Sequence, residues 1–311
     1  TQHQRGVLEE LRAARVAVLL SPAGGGKTFL AIQRLHEELQ HDLSAVVLFV
    51  ARNAALALFA CKWLVASSRK AAERVVERVH VLVAPFEDGP QRVSVVDDGG
   101  RKRLKLAAAG DGGTKYALVV VDEAHHLVGD AELHSQLEAI DAATSKLLFL
   151  GDASQAATTL ERDALARLLV DLPQGSDVAV SMLSEVVRST KRIVAGAAAF
   201  QLAAGRKAET KTHAASVGPP LVARIFKLAD GEDTSQLYAR EVVEALSAVQ
   251  EQLADLSDLD DRVAVVGPDE AFVEKLRGPL ELALGGFELV DAATASAALP
   301  RDEERSSGSK P

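Results

Sequence analysis

One stretch of the chain, residues 16–30 (VAVLLSPAGGGKTFL), constrains the fold more than any other. Five apolar residues predict a short buried strand, a glycine-rich turn follows, and apolar residues at helical spacing come next. Glycines in such a turn let backbone N–H groups converge on an anion at the N-terminus of a helix. The pattern therefore predicts a phosphate-binding loop. The residues of the expected cradle are Ser21, Pro22, Ala23, Gly24, Gly25, Gly26, Lys27 and Thr28.

Two side chains of this loop have a predicted chemical role. Lys27 would place an ammonium on the β- and γ-phosphates, and the Thr28 hydroxyl would ligate Mg²⁺. The pattern G-x-x-x-x-G-K-[ST] has glycine at its first position, where this chain has Ser21. The alternative is a flexible glycine linker that precedes a lysine, and the flanking strand and helix disfavour it.

Composition excludes several classes of protein. The 311 residues, 48% of them apolar, are enough for one large or two modest domains. A net charge of −9 disfavours nucleic-acid binding by a general basic surface, although a local groove stays possible. The one cysteine, Cys61, excludes an internal disulfide and fits a reducing compartment. No apolar run reaches the ~18 residues of a membrane span. We therefore expect an intracellular protein, in the cytoplasm or nucleus, without membrane contact.

Apolar runs alternate with helical patterns along most of the chain. Such alternation predicts an α/β fold with a doubly wound parallel sheet and helices on both faces. The polar stretch 206–220 is a predicted linker, and the strand–helix alternation resumes after it. The predicted organisation is a first domain at 1–205, the linker at 206–220, the start of a second, incomplete α/β domain at 221–295, and a disordered tail at 296–311. The strands predicted in the second domain lie at 221–227, 262–266 and 287–290.

Residues 91–107 interrupt the alternation with two alternating runs on either side of Asp-Asp-Gly-Gly at 97–100. This turn signal predicts a β-hairpin insertion. Four basic residues lie on the second arm: Arg101, Lys102, Arg103 and Lys105. We favour a solvated edge strand protected by charge, and contact with a phosphate backbone is the alternative.

Carboxylates follow the predicted strand 116–121. We expect Asp122 to hold Mg²⁺ opposite Thr28, and Glu123 to polarise an attacking water as general base. The alternative is two solvated carboxylates with a helix N-cap. His125 and His126 come next, and we expect adjacent histidines at this turn to point in different directions, which disfavours metal ligation.

The strand after that, at 146–150, ends in Gly-Asp-Ala-Ser-Gln at 151–155. The Gln155 amide at this place could reach the γ-phosphate or its water. We also expect His125 to couple the nucleotide site to this strand end.

Six stretches of the chain together resemble the first motor domain of superfamily-1 helicases. In chain order they resemble the Q motif and motifs I, Ia, II, III and IV. They are QHQRGVL at 2–8, SPAGGGKT at 21–28, ARNAALAL at 51–58, VVVDEAHH at 119–126, LLFLGDASQ at 147–155 and LSEVVRSTKRIV at 183–194. The last stretch and the Gly-Pro-Pro at 218–220 resemble Schlafen-type proteins more than the UvrD/Rep-type motors. The resemblance covers about residues 1–290 and implies a RecA-like first domain followed by part of a second one.

The resemblance also implies roles for three more residues. Gln4 would hydrogen-bond the adenine edge, with a surface helix residue as the alternative. Gln155 would couple the γ-phosphate to nucleic acid. Arg188 would act as an arginine finger, since a guanidinium suits the charge of a transferring phosphoryl group, and a surface arginine is the alternative. ATP and Mg²⁺ are the implied cofactors, and DNA or RNA is the implied partner.

Two departures from the helicase pattern limit the prediction. The position of a nucleic-acid-contacting threonine in motif Ia is Ala51, beside Arg52, and no candidate for the motif VI arginine is found. Either the chain is a fragment, or another molecule completes its site, and we do not expect it to unwind alone. The preferred function is ATP hydrolysis with Mg²⁺ by a P-loop NTPase of superfamily-1 helicase type that acts on DNA or RNA. The alternatives are a non-catalytic, nucleotide-switched nucleic-acid-binding module of Schlafen-like type and a P-loop kinase or signalling ATPase.

Overall fold

The computed structural model of the protein contains two compact units. The first unit contains Thr1–Leu221 and the described residues from Ser296 onward, and the second contains Val222–Ala295. The residues that the structure describes are 1–68, 72–110, 113–140, 145–152, 155, 158–171, 177–199, 211–213, 215–227, 231, 233–252, 263–285 and 289–299.

Strands of the first unit form an eight-stranded sheet and a separate two-stranded one. The members of the large sheet are β1 (Val16–Leu20), β2 (Val47–Ala51), β3 (Val79–Val83), β4 (Gln91–Asp98), β5 (Arg101–Ala108), β6 (Leu118–Val121), β7 (Lys146–Gly151) and β8 (Val178–Met182). Their order across the sheet is β5-β4-β3-β2-β6-β7-β1-β8. The small sheet pairs β9 (Glu185–Val186) with β10 (Lys211–Thr212) in parallel.

Six strands of the large sheet run parallel, and the hairpin β4–β5 extends it with antiparallel pairing. All five residues of β2 and all four of β6 are buried, which explains why these runs are apolar throughout rather than alternating. The predicted α/β fold with a doubly wound sheet is therefore confirmed, as a mixed sheet whose core is parallel.

Helices cover both faces of this sheet. In the first unit they are α1 (Gln2–Ala13), α2 (Lys27–His41), α3 (Ala54–Ser68), α4 (Ala72–Val76), α5 (Ala124–Leu127), α6 (Ala131–Ala139), α7 (Thr159–Asp171) and α8 (Lys191–Ala199). Helix α3 packs against α2 and α4, and α5 packs against α7. Right-handed crossovers put these two groups on opposite faces, because the chain moves in opposite directions along the sheet in the two halves. No helix in the described ranges is both long and apolar enough to cross a bilayer.

The predicted hairpin is present and turns at Gly99 and Gly100, both with positive φ. Strand β4 pairs with β3 only at His80 and Val81, so the turn extends beyond the start of β3. The tip therefore lies at the edge opposite to the carboxyl ends of the parallel strands. On the basic arm, Lys102 pairs with Glu73 at 3.1 Å. These contacts favour the solvated, charge-protected edge strand.

The second unit is helical in its described residues. Its helices are α9 (Thr234–Gln252), α10 (Glu270–Leu284) and α11 (Ala292–Ala297), of which α11 continues past Ala295. A small core forms around Ala239, Leu276 and Leu280.

The strands predicted for the second unit need a correction. Residues 222–227, 263–266 and 289–290 are described and are not in strands, and Ile225 and Val266 are 95% and 89% exposed. An apolar segment becomes a strand only where a neighbour supplies hydrogen-bond partners, and the described part of this unit supplies none. The assignment of 221–295 to a second α/β domain stays a prediction.

Boundaries between the units differ from the predicted ones. The first unit continues to Leu221, and the predicted linker contains β10, which pairs with β9. Polar composition indicates a surface loop but does not tell whether the loop pairs with the preceding domain. In the predicted tail, Ala298 forms a bridge with Arg103, and residues 300–311 lie outside the described residues.

Candidate nucleotide-binding site

The glycine-rich loop lies between the end of β1 at Leu20 and the start of α2 at Lys27, as predicted. Gly24 and Gly26 have φ values of +76° and +98°, a region that only glycine adopts at little cost. A Cβ added at Gly25 would lie 2.1 Å from the Ser21 hydroxyl. Ser21, the departure from the usual pattern, is thus accommodated because its hydroxyl lies in the space that Gly25 leaves open.

Lys27 is buried at the base of the loop. Its Nζ donates to the Ser21 carbonyl at 3.0 Å and lies 3.8 Å from Asp152 Oδ2 at the end of β7. A buried ammonium is costly unless it is paired. The loop therefore holds a desolvated positive charge beneath a turn built for anions, which fits a polyphosphate.

Thr28 and Asp122 meet across the site. Thr28 Oγ1 donates to Asp122 Oδ2 at 2.9 Å, and the Glu123 amide donates to Asp122 Oδ1 at 2.9 Å. Burial raises the pKa of Asp122 to about 6, and the neighbouring charge of Glu123 adds to this. A hydroxyl beside a buried carboxylate is an oxygen donor set that fits Mg²⁺. Since Asp122 is fully buried, the alternative of two solvated carboxylates is wrong.

Glu123 has an unusual backbone. Its φ and ψ are 52° and 42°, a left-handed conformation that is uncommon outside glycine and clusters at functional sites. The residue is at the N-cap position of α5, but its side chain makes no capping hydrogen bond. Its Oε2 lies 3.3 Å from His125 Nε2, and both atoms are buried without a hydrogen bond. The buried Oε2 of Glu123 thus faces His125, while the Glu123 side chain as a whole is 26% exposed.

His125 connects Glu123 to the end of β7. The Asp152 amide donates to His125 Nδ1 at 3.3 Å, so the ring proton lies on Nε2, which faces Glu123. Burial lowers the pKa of His125 to about 4, with a contribution from His126, so the ring is neutral near pH 7. The structure thus puts His125 in the coupling position that the sequence predicted.

The expectation that the two histidines point in different directions is wrong. Their ring centroids are 4.1 Å apart. His125 is hydrogen-bonded to Asp152 after β7 and His126 to Glu161 in α7, and these two contacts hold the rings side by side. Ligand atoms of Glu123, His125 and His126 lie within 4.8 Å of one another. However, the His125 Nε2 atom carries the ring proton and so has no lone pair for a metal. Metal ligation is therefore disfavoured by the tautomer of His125 and not by the direction of the rings.

Arg188 lies on a segment that contacts the phosphate loop, whereas Gln155 lies beside the end of β7. The amides of Val187 and Arg188 both donate to the Gly24 carbonyl, at 3.0 and 3.3 Å, so this segment lies against the loop. The Arg188 side chain is exposed and makes no ion pair with the described residues. Gln155 is also exposed, and its amide N–H donates to the Asp152 carbonyl at 3.1 Å. Residues 153, 154, 156 and 157 around it lie outside the described residues.

Gln4 is buried against the loop, so the alternative of a surface helix residue is wrong. Its Nε2 donates to the Gly25 carbonyl at 3.0 Å, and a Cβ at Gly26 would lie 2.5 Å from that nitrogen. The predicted cradle thus has a support from α1 as well as from β1 and α2.

Comparison with known families decides what kind of domain this is. A family model described as an AAA domain matches residues 1–218, about two thirds of the chain. The chain belongs to the AAA domain family. The match contains all the site residues described above, and together with the loop it makes the first unit a P-loop NTPase domain.

Other comparisons add less about the AAA domain. No curated protein matches the chain. Among solved structures, a helicase domain of Hef from Pyrococcus furiosus is similar, with 15% identity and a TM-score of 0.37. The alignment covers 91% of this chain and 53% of that one, so the chain spans about half of its length.

Sequence reasoning missed two contacts of the AAA domain. Asp152, beside Lys27, was considered only as part of a turn, although parallel neighbouring strands end at the same edge and could have indicated it. The backbone contact of residues 187–188 with Gly24 had no signal in the sequence, because backbone hydrogen bonds do not depend on side-chain type.

Proposed function

We propose that this AAA domain binds ATP with Mg²⁺ and hydrolyses it, as a motor of the superfamily-1 helicase type. The hydrogen bond between Thr28 and Asp122 carries the proposal, because it joins the phosphate loop to the carboxylate that a metal-dependent NTPase needs. The order of the six motif-like stretches favours superfamily 1. The stretch 183–194 and Gly-Pro-Pro at 218–220 favour a Schlafen-like branch.

In this proposal the loop binds the phosphates. Its backbone amides and Lys27 hold them, and Lys27 exchanges its present partners for phosphate oxygens. Thr28 and Asp122 would hold Mg²⁺, which supplies positive charge against the charge that develops on the transferred phosphoryl group. The other residues proposed for the nucleotide site are Ser21, Pro22, Ala23, Gly24, Gly25 and Gly26 of the loop, with Gln4 held against the loop at Gly25.

Glu123 is the proposed general base. Its side chain is 26% exposed, so water can reach the carboxylate and give up a proton to it, while the buried Oε2 faces His125. The neutral His125 directs Nε2–H toward Glu123, which restricts where that carboxylate can lie. Arg188 has an exposed guanidinium on a segment bonded to the loop, a position from which it can stabilise the transferred phosphoryl group. Gln155 follows the strand end beside Lys27 and is proposed to sense the γ-phosphate.

Nucleic acid is the proposed partner, as DNA or RNA. Arg52 is exposed just after β2, at the edge of the sheet where the nucleotide loop also lies. A cation there can contact a backbone phosphate even though Ala51 lacks a hydroxyl. The basic hairpin arm lies at the opposite edge and is not part of this proposed contact.

ATP binding and phosphate release by four variants test the enzymatic proposal. Lys27→Ala should weaken Mg²⁺–ATP binding at least about a hundredfold, because it removes the buried charge under the phosphates. Glu123→Gln should bind ATP normally and turn over about 10² to 10⁴-fold more slowly, as expected for loss of a general base. The matched controls are Lys105→Ala and Glu87→Gln, which are exposed and are not among the proposed site residues.

Equal turnover by all four variants and the unmodified chain would contradict the proposal. Normal binding without measurable hydrolysis, unaffected by added DNA or RNA, would instead support the non-catalytic nucleotide-switched module. If nucleic acid accelerates hydrolysis, Arg52→Ala should reduce that acceleration and leave the basal rate unchanged.

A further inference from the structure

Both ends of the Gln4 side-chain amide are engaged within the first unit. Its Oε1 accepts from the backbone nitrogen of Thr1 at 2.8 Å, as part of a capping box at the start of α1. Its Nε2 donates to the Gly25 carbonyl at 3.0 Å. The side chain is 9% exposed, so the amide lies inside the protein and its orientation is fixed by these two partners.

The contact with Gly25 controls a peptide plane of the loop. In a trans peptide the C=O and the following N–H point in opposite directions. By holding the Gly25 carbonyl, Gln4 therefore turns the Gly26 N–H away from α1. Gly26 has a φ of +98°, and a glycine there has few steric limits of its own on rotation of this plane. Without Gln4, the orientation of one amide of the phosphate cradle would be less restricted.

Reading an adenine edge makes a different demand on a glutamine. A bidentate contact uses the amide oxygen as acceptor and the amide nitrogen as donor, both directed at the base. In this chain the oxygen faces the cap of α1 and the nitrogen faces the loop. The amide can serve the base only by giving up both partners.

We propose that Gln4 is a positioning residue for the phosphate cradle and does not read the nucleobase, so that the site accepts nucleoside triphosphates with different bases. This inference rests on the proposed function, since it concerns the same loop. It differs from the role that the helicase resemblance implies for Gln4, which is contact with adenine.

Two isosteric variants separate the contacts of Gln4. Gln4→Met keeps the length and the burial but removes both hydrogen bonds. Gln4→Glu can still accept from Thr1 but cannot donate to Gly25. The matched control is Gln2→Met, an exposed glutamine on the same helix. Melting temperatures of all four proteins establish that they are folded.

Affinities of these proteins are measured, with Mg²⁺, for ATP, GTP, CTP and inorganic triphosphate, which carries no base. The unmodified chain should bind the three nucleotides within about fivefold of one another. Gln4→Met should weaken all four ligands by a similar factor of about five to ten, as expected for loss of the buried hydrogen bond to Gly25, the one of the two that reaches the loop. In turnover assays KM should rise by a similar factor while kcat changes little, which a general loss of stability would not produce. Gln4→Glu should weaken all four ligands at least as much, and Gln2→Met should change nothing.

Loss of affinity for ATP alone in Gln4→Met, with unchanged affinity for inorganic triphosphate, would overturn the inference and assign Gln4 to adenine. Strong preference of the unmodified chain for ATP would also overturn it. If the unmodified chain binds none of the four ligands, the proposed function itself fails, which is a different result from either of these.

Discussion

The phosphate loop and the tip of the β4–β5 hairpin both turn on glycines with positive φ, yet their surroundings differ. At Gly99 and Gly100, an added Cβ would meet no atom within 4 Å. At Gly24 it would lie 3.2 Å from a Val186 methyl, and at Gly26 it would lie 2.5 Å from Gln4 Nε2. In the hairpin, glycine serves only the local backbone conformation. In the loop it also permits close packing by α1 and by the segment after β8, so the conformation of the loop depends on residues far away in the sequence.

The largest expected effect concerns two buried titratable residues, Asp122 beside the phosphate loop and His80 beside the hairpin. Their contributions to the free energy of unfolding should change with pH in opposite directions. Burial raises the pKa of Asp122 from 3.8 to about 6. Stability from a group with a raised pKa is present at low pH and is lost as pH rises through the folded-state value. Without Mg²⁺, the free energy of unfolding of Asp122→Asn should therefore rise relative to the unmodified chain by about 3 kcal/mol from pH 4 to pH 7.5. Denaturant unfolding at the two pH values measures this.

His80 pairs with Arg92 at the start of the hairpin, and its contribution to stability should have the opposite pH dependence. Burial lowers its pKa from 6.5 to about 4, and Arg92 adds to the shift. Stability from a lowered histidine pKa is present above pH 6.5 and is lost as pH falls toward 4. Relative to His80→Gln, the unmodified chain should lose about 3 kcal/mol over that interval. For each variant, the difference in unfolding free energy from the unmodified chain is plotted against pH. Slopes of the same sign for Asp122→Asn and His80→Gln would contradict the comparison.

A smaller effect separates the glycines themselves. Gly26→Ala should cost about 2 to 3 kcal/mol of unfolding free energy, from the positive φ and the disturbed Gln4 contact. Gly99→Ala should cost about 1 kcal/mol, because only the backbone term applies. Gly6→Ala, inside α1 and with open space around it, should instead stabilise the protein by about 0.5 to 1 kcal/mol. Equal costs at Gly26 and Gly99 would show that close packing does not distinguish the loop.

The smallest effect concerns the charges of the hairpin. The ion pair between Lys102 and Glu73 joins two largely exposed side chains at 3.1 Å. Such a pair contributes little, so Lys102→Ala should change the free energy of unfolding by less than about 0.5 kcal/mol and leave nucleotide affinity unchanged. A loss of nucleotide-dependent nucleic-acid binding in this variant would instead revive the phosphate-contact interpretation of the basic arm.

These two regions also show what the sequence could predict. The loop, the hairpin turn and the parallel core were predictable, because apolar runs buried on both faces and glycine-rich turns have local signatures. The meeting of Thr28 and Asp122 was predictable too, since parallel strands present their carboxyl ends at one edge.

Other features depend on tertiary contacts that no local pattern encodes. The burial of Gln4 depends on how α1 packs, and the close approach of the His125 and His126 rings depends on partners from β7 and α7. The strands predicted near 222–227 and 263–266 were wrong because an apolar run does not specify a pairing partner.

The Gly24 carbonyl accepts hydrogen bonds from two successive amides, those of Val187 and Arg188. The phosphate loop and this segment are therefore joined through their backbones at one carbonyl. The segment leads directly into α8, which begins at Lys191. A displacement of the phosphate loop or of α8 would therefore reach the other through backbone hydrogen bonds, whatever side chains lie between them.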